Sequence, residues 1–121
     1  MKARFTRAEI EGARRLRALG LVWRPRVGDW FATDDGFVSF LTGNGDGLHA
    51  ARHHTWMPGW AECRQWLRAR GFTHPEFARD DDGDTRIEVI GPGGEILVGT
   101  GATDLECIYA IMAQVLSKEH G

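Results

Sequence analysis

Thr103-Asp104-Leu105-Glu106 opens a stretch in which Leu105, Ile108, Ile111, Met112, Val115 and Leu116 recur at helical spacing. No other feature restricts the fold as much. Thr103 and Glu106 make a capping box, in which hydroxyl and carboxylate each satisfy a backbone donor at the helix start. An apolar stripe this broad has to lie against a sheet or a second helix.

The rest of the chain supplies both kinds of cover. Thr6-Arg7-Ala8-Glu9 is a second capping box, with Phe5, Ala8, Ala13, Leu16 and Leu19 on one arc of the helix and Gly20 placed to end it. Pro58 suits the first turn of a further helix in which Trp60, Cys63, Trp66 and Leu67 share a face and Gly71 is the stop. Two hairpins are predicted. One joins Gly28–Ala32 to Phe37–Leu41 around Asp34-Asp35-Gly36, with Gly36 at positive φ. The other joins Arg86–Ile90 to Glu95–Gly99 around Gly91-Pro92-Gly93-Gly94. The expected fold is α+β, a single domain over residues 1–121. Three helices cover antiparallel sheets of short hairpins in the order αββ-αββ-α, an α/β sandwich. Thr42–Gly47 is glycine-rich, Leu48–Trp56 has no clear period, and Asp80–Asp84 is an acidic solvated turn.

Thr55-Trp56-Met57-Pro58, an amphipathic helix ending in Arg70-Gly71-Phe72, a hairpin, and Gly99-Thr100-Gly101-Ala102-Thr103 before an alanine-containing helix follow one another over roughly residues 55–116. This order resembles small uncharacterised bacterial and phage-borne proteins, including those with the domain called a phage ABA sandwich. In them a G-x-G-x-T link also precedes the last helix. The resemblance implies an α/β sandwich and a mobile-element origin, and it brings no catalytic residues.

Charge is unevenly spread around a net −2. Residues 1–26 hold eight Lys/Arg against two Glu, whereas residues 76–106 hold nine Asp/Glu against two Arg. Arg4 and the basic patch Arg7, Arg14, Arg17, Arg24 and Arg26 would attract a phosphate backbone. With no overall positive excess, self-complementation is the preferred use, the basic segment facing the acidic half of its own domain or of a second copy.

His49, His53 and His54 are the sharpest chemical lead. On a helix, His49 and His53 would meet one turn apart and hold a transition metal, with Asp46 or Cys63 as a third ligand. Ala50 stands where H-E-x-x-H has its general base, so that hydrolytic mechanism is excluded. A polar loop with one histidine against Trp56 is the preferred reading. Calcium loops at Thr42–His53 and Asp80–Gly91 lack carboxylates where the ion needs them. Gly99-Thr100-Gly101 is read as a strand-to-helix turn, because Asp104 stands in place of a third glycine and would repel a pyrophosphate. Ser39, Ser117, Cys63 and Cys107 lie in no nucleophile motif.

Five tryptophans remain. Trp30, Trp56 and Trp60, with His53 and His54, are the candidate ligand-binding set; indoles of this kind line grooves and subunit contacts. The leading functional expectation is a non-enzymatic, self-associating protein-interaction module without a cofactor. A ligand or metal site at His49/His53/His54 and Trp56–Trp60 is the alternative. Nucleic-acid binding through the basic N-terminal helix is the weaker one. The absence of a secretory h-region or an 18-residue apolar run, together with only two cysteines, predicts a cytoplasmic protein outside the membrane.

Overall fold

The computed structural model describes residues 4–43, 45–79 and 84–120. Asn44 of the glycine-rich passage and Asp80–Gly83 of the acidic turn lie outside the described residues, as do Met1–Ala3. The chain divides into two compact units, Met1–Pro58 and Gly59–Gly121. No helix of the described residues is long and apolar enough to cross a membrane.

The first unit begins with α1 (Arg7–Ala18). Thr6 Oγ1 accepts the Glu9 N–H at 3.0 Å and Glu9 Oε1 accepts the Thr6 N–H at 2.7 Å, so the capping box is complete. The helix ends where Gly20 adopts φ +99°. There the Gly20 N–H reaches Arg17 O at 3.0 Å and the Leu21 N–H reaches Leu16 O at 2.9 Å, a Schellman closure. Strands β1 (Trp30–Ala32) and β2 (Val38–Phe40) then form the expected hairpin, followed by α2 (Gly47–His53) and β3 (Thr55–Trp56). The sheet order is β2-β1-β3, antiparallel throughout, with Trp30 opposite Phe40 and Phe31 opposite Trp56. Its core is Phe31, Leu41 and Ala50, with Trp23 packed against them.

The second unit runs α3 (Trp60–Ala69), β4 (Glu76–Arg79), β5 (Thr85–Ile90), β6 (Ile96–Gly101) and α4 (Asp104–His120). Its three strands pair antiparallel in chain order. α4 packs on β5 and β6 and against α3. The helix is buried on most of its circumference from Cys107 to Leu116, so the stripe read from sequence is its minimum extent. Each fully buried Ile, Leu, Val or Met there contributes about 1.5–3 kcal/mol of transfer free energy.

The two hairpins close by one device. The Thr33 N–H bonds Phe37 O at 2.8 Å and the Gly36 N–H bonds Thr33 O at 3.0 Å. The Gly91 N–H and Glu95 O, then the Gly94 N–H and Gly91 O, repeat that pair at 2.7 and 3.0 Å. Gly36 and Gly94 carry the positive φ this closure needs, +90° and +84°.

The α+β class holds, and several details differ from expectation. Pro58 lies before Gly59, the N-cap of α3, and not in that helix's first turn. There are four helices among the described residues, not three, because Gly47–His53 is helical. Only Ala50 is buried in its seven residues, too few for a visible period. The order becomes αββαβ in the first unit and αβββα in the second, because β3 and β4 form by backbone pairing without a pattern of their own. Gly99 and Gly101 belong to β6, not to a turn. A Cβ on Gly99 would overlap the Cys107 carbonyl, so this glycine lets α4 approach the sheet.

Candidate functional site

α2 brings the three sequence-selected histidines together. The His49 and His53 rings lie 4.5 Å apart, one helical turn from each other, and His49 lies 5.6 Å from His54. The segment is thus a helix and not the preferred polar loop. His54, at the C-cap, stacks on Phe31 at 5.1 Å and 8°, on the strand neighbour of Trp56 and not on Trp56 itself. Among the described residues no group of three His, Cys, Asp or Glu is placed to hold a metal ion. Asp46, in the same unit, therefore completes no donor set with His49 and His53.

Trp56 stacks on Trp23 at 6.4 Å and 2°, and Trp23 meets Phe31 at 6.0 Å. Together with Ala13, Arg17, Leu21, Ala51 and His54, the two indoles surround a cavity of about 50 Å³. Organic ligands take pockets of roughly 300–1,000 Å³, so this is not a ligand groove. His54 Nδ1 and Trp56 Nε1 are buried here without a hydrogen-bond partner among the described residues.

The other indoles lie elsewhere. Trp30 points to the opposite face of β1 from Phe31. There it packs against Phe40 at 5.2 Å and Phe5 at 6.2 Å, under the Arg4 guanidinium at 4.1 Å. Trp60 packs on Phe77 at 5.2 Å in the second unit, and Trp66 lies beneath Arg70 at 3.6 Å. Trp30, Trp56 and Trp60 hence belong to three separate clusters.

The basic patch is partly engaged internally. Arg14 donates to Thr33 O and Asp34 O at 3.1 and 3.0 Å, and Arg17 donates to Arg52 O at 2.8 Å. Arg7 pairs with Glu11 at 3.5 Å on the surface. Arg24 and Arg26 are exposed.

Both thiols are buried and are not joined in a disulfide. Burial pushes Cys63 well above the ordinary thiol value, with Glu62 adding to it. Cys107 is pushed up to about 11, by burial first and then by Asp104, Glu106 and Asp84. Neither supplies much thiolate near neutral pH.

Sequence reasoning missed two surfaces. The first is the outer edge of β2. The Thr33–Phe37 and Leu41–Asp29 hydrogen bonds alternate along the hairpin. Ser39 thus faces β1, while the backbone groups of Val38 and Phe40 face outwards. Phe37 is 71% and Phe40 48% exposed. The signal was present in Phe37-Val38-Ser39-Phe40-Leu41, which has no charge, proline or glycine. The second is a groove of about 570 Å³ in the second unit, along α3 and the turn after it, lined in part by Arg64, Arg68 and His74. Its sequence signal was a pair of arginines four apart on a predicted helix.

No protein family, curated protein or solved structure matches the chain in comparisons with known proteins.

Proposed function

We propose that the chain is a non-enzymatic interaction module that self-associates by pairing β2 with β2 of a second copy. The unguarded edge of β2 carries this reading. Natural sheets blunt such edges with lysine, proline or a bulge, because outward N–H and C=O groups recruit another strand. Among the described residues, Val38 and Phe40 present those groups with none of these protections. Antiparallel pairing of identical strands is self-complementary, so it closes as a two-fold dimer. Phe40 and the Trp30–Phe5 cluster beside it supply apolar area to bury. The non-catalytic part rests on thiols held protonated and on Ser39 lying exposed in an edge strand. Two buried thiols suit a reduced, cytoplasmic setting.

Size-exclusion chromatography with light scattering tests it. The wild type is expected as a dimer and Val38→Pro as a folded monomer. Proline removes only an N–H that faces outwards, leaving the β1 ladder intact. A wild-type monomer at every concentration would sink the reading, as would a Val38→Pro chain that dimerises equally well.

A further inference from the structure

We propose that the groove along α3 binds a phosphate monoester, held at its phosphoryl group by Arg64 and Arg68. This site lies in the second unit and does not depend on association through β2.

α3 exposes Arg64, Gln65 and Arg68 outside the stripe of the buried Cys63 and Leu67. Arg64 and Arg68 are four apart, so their side chains leave the helix side by side. At the end of the helix Gly71 takes φ +87° and reverses the chain. The Gly71 N–H bonds Arg68 O at 3.0 Å and the Phe72 N–H bonds Leu67 O at 3.1 Å. The chain from Phe72 to His74 then forms the second wall of the groove. That wall is fixed to β5: the Thr73 N–H donates to Ile90 O at 2.9 Å, and Thr73 Oγ1 accepts the Ile90 N–H at 3.0 Å.

The polar character of the groove follows from one contact. Arg64 Nη2 lies 2.9 Å from His74 Nδ1. A guanidinium has donors only, so Nδ1 is the acceptor and the imidazole proton sits on Nε2. His74, a lining residue of the groove, therefore keeps an N–H donor on its other ring nitrogen. Among the described residues, neither Arg64 nor Arg68 has a carboxylate within ion-pairing distance, and no Asp or Glu lines the groove. This is notable in a unit that carries eleven Asp/Glu against six Lys/Arg. The local field runs against the charge of the surrounding unit.

Charge and shape select the ligand class. Two permanently charged guanidinia match a dianion, and a phosphoryl group offers three acceptor oxygens to paired arginines. A carboxylate would leave one positive charge unmatched. The volume of about 570 Å³ suits a small organic molecule. Phe72 gives its apolar portion a surface to lie on.

The test uses phenyl phosphate as the probe, followed by two-dimensional amide NMR on the full chain at constant ionic strength. Saturable shifts confined to residues 61–75 are expected. Arg68→Gln and Arg64→Gln should each weaken binding at least about tenfold, since each removes charge-assisted hydrogen bonds. Arg15→Gln, an exposed arginine of the first unit outside the basic patch, should leave the affinity unchanged. Both groove arginines are exposed, so the variants should melt like the wild type. Three results would each overturn the proposal: no saturable shift, an affinity indifferent to both groove substitutions, or benzoate binding as tightly as phenyl phosphate.

Discussion

Trp23 Nε1 donates to Asp29 Oδ2 at 2.9 Å, and the same oxygen accepts the Arg26 backbone N–H at 2.9 Å. Asp29 is 8% exposed, so one buried carboxylate closes the loop between α1 and β1 and fixes the indole that stacks on Trp56. Replacing it with alanine leaves two donors unpaired away from water. Asp29→Ala should therefore cost about 2–4 kcal/mol, and Asp29→Asn, which keeps an acceptor oxygen, less than half of that. Urea unfolding of the two variants measures the difference. An Asp29→Ala midpoint equal to that of the wild type would show that the carboxylate holds nothing.

Gly99→Ala tests the approach of α4 to β6. The added methyl meets the Cys107 carbonyl and lies 3.0 Å from Ile111 Cγ1, and neither can withdraw without moving the helix. A loss of about 3 kcal/mol is expected in denaturant unfolding. Gly94→Ala tests a different cause, because its methyl would meet open space and only the positive φ is strained. It should cost about 1 kcal/mol.

Alkaline pH should destabilise the second unit through Cys107. Its Sγ donates to Thr85 O at 3.2 Å, and the folded thiol titrates at about 11 against an ordinary 9.0. The folded state therefore favours the protonated form. That stability is complete below pH 9 and is lost as pH rises through about 11. Thermal melts between these pH values should fall more steeply for the wild type than for Cys107→Ala. Parallel slopes would remove Cys107 as the cause.

The helix starts and stops were the most legible part of the chain, because they depend on local chemistry. Thr6, Glu9, Gly20 and Gly71 act where their sequence positions place them. Gly36 likewise sits at the positive φ the hairpin turn demands. What escaped were elements too short to show a period. α2 has one buried residue, and β3 and β4 exist through the strands that pair with them. The candidate sites divide along the same line. Helical spacing alone makes His49 and His53 neighbours, and their rings do meet. Trp30, Trp56 and Trp60 looked like one set, yet strand alternation turns Trp30 away from the Trp56 side and Trp60 belongs to the other unit.

Taken by itself, the order of amino acids determined the α+β class, three of the helices, both hairpin turns and the burial of the last helix. Each follows from backbone capping, glycine's freedom at positive φ, or an apolar stripe that water rejects. Only the tertiary structure decided which surfaces face outwards together. The open edge of β2 follows from the strand order of its sheet. The cationic groove appears only when Gly71 folds His74 back beside Arg64 and Arg68. Such surfaces join residues whose proximity depends on how the chain turns, and no local preference encodes it.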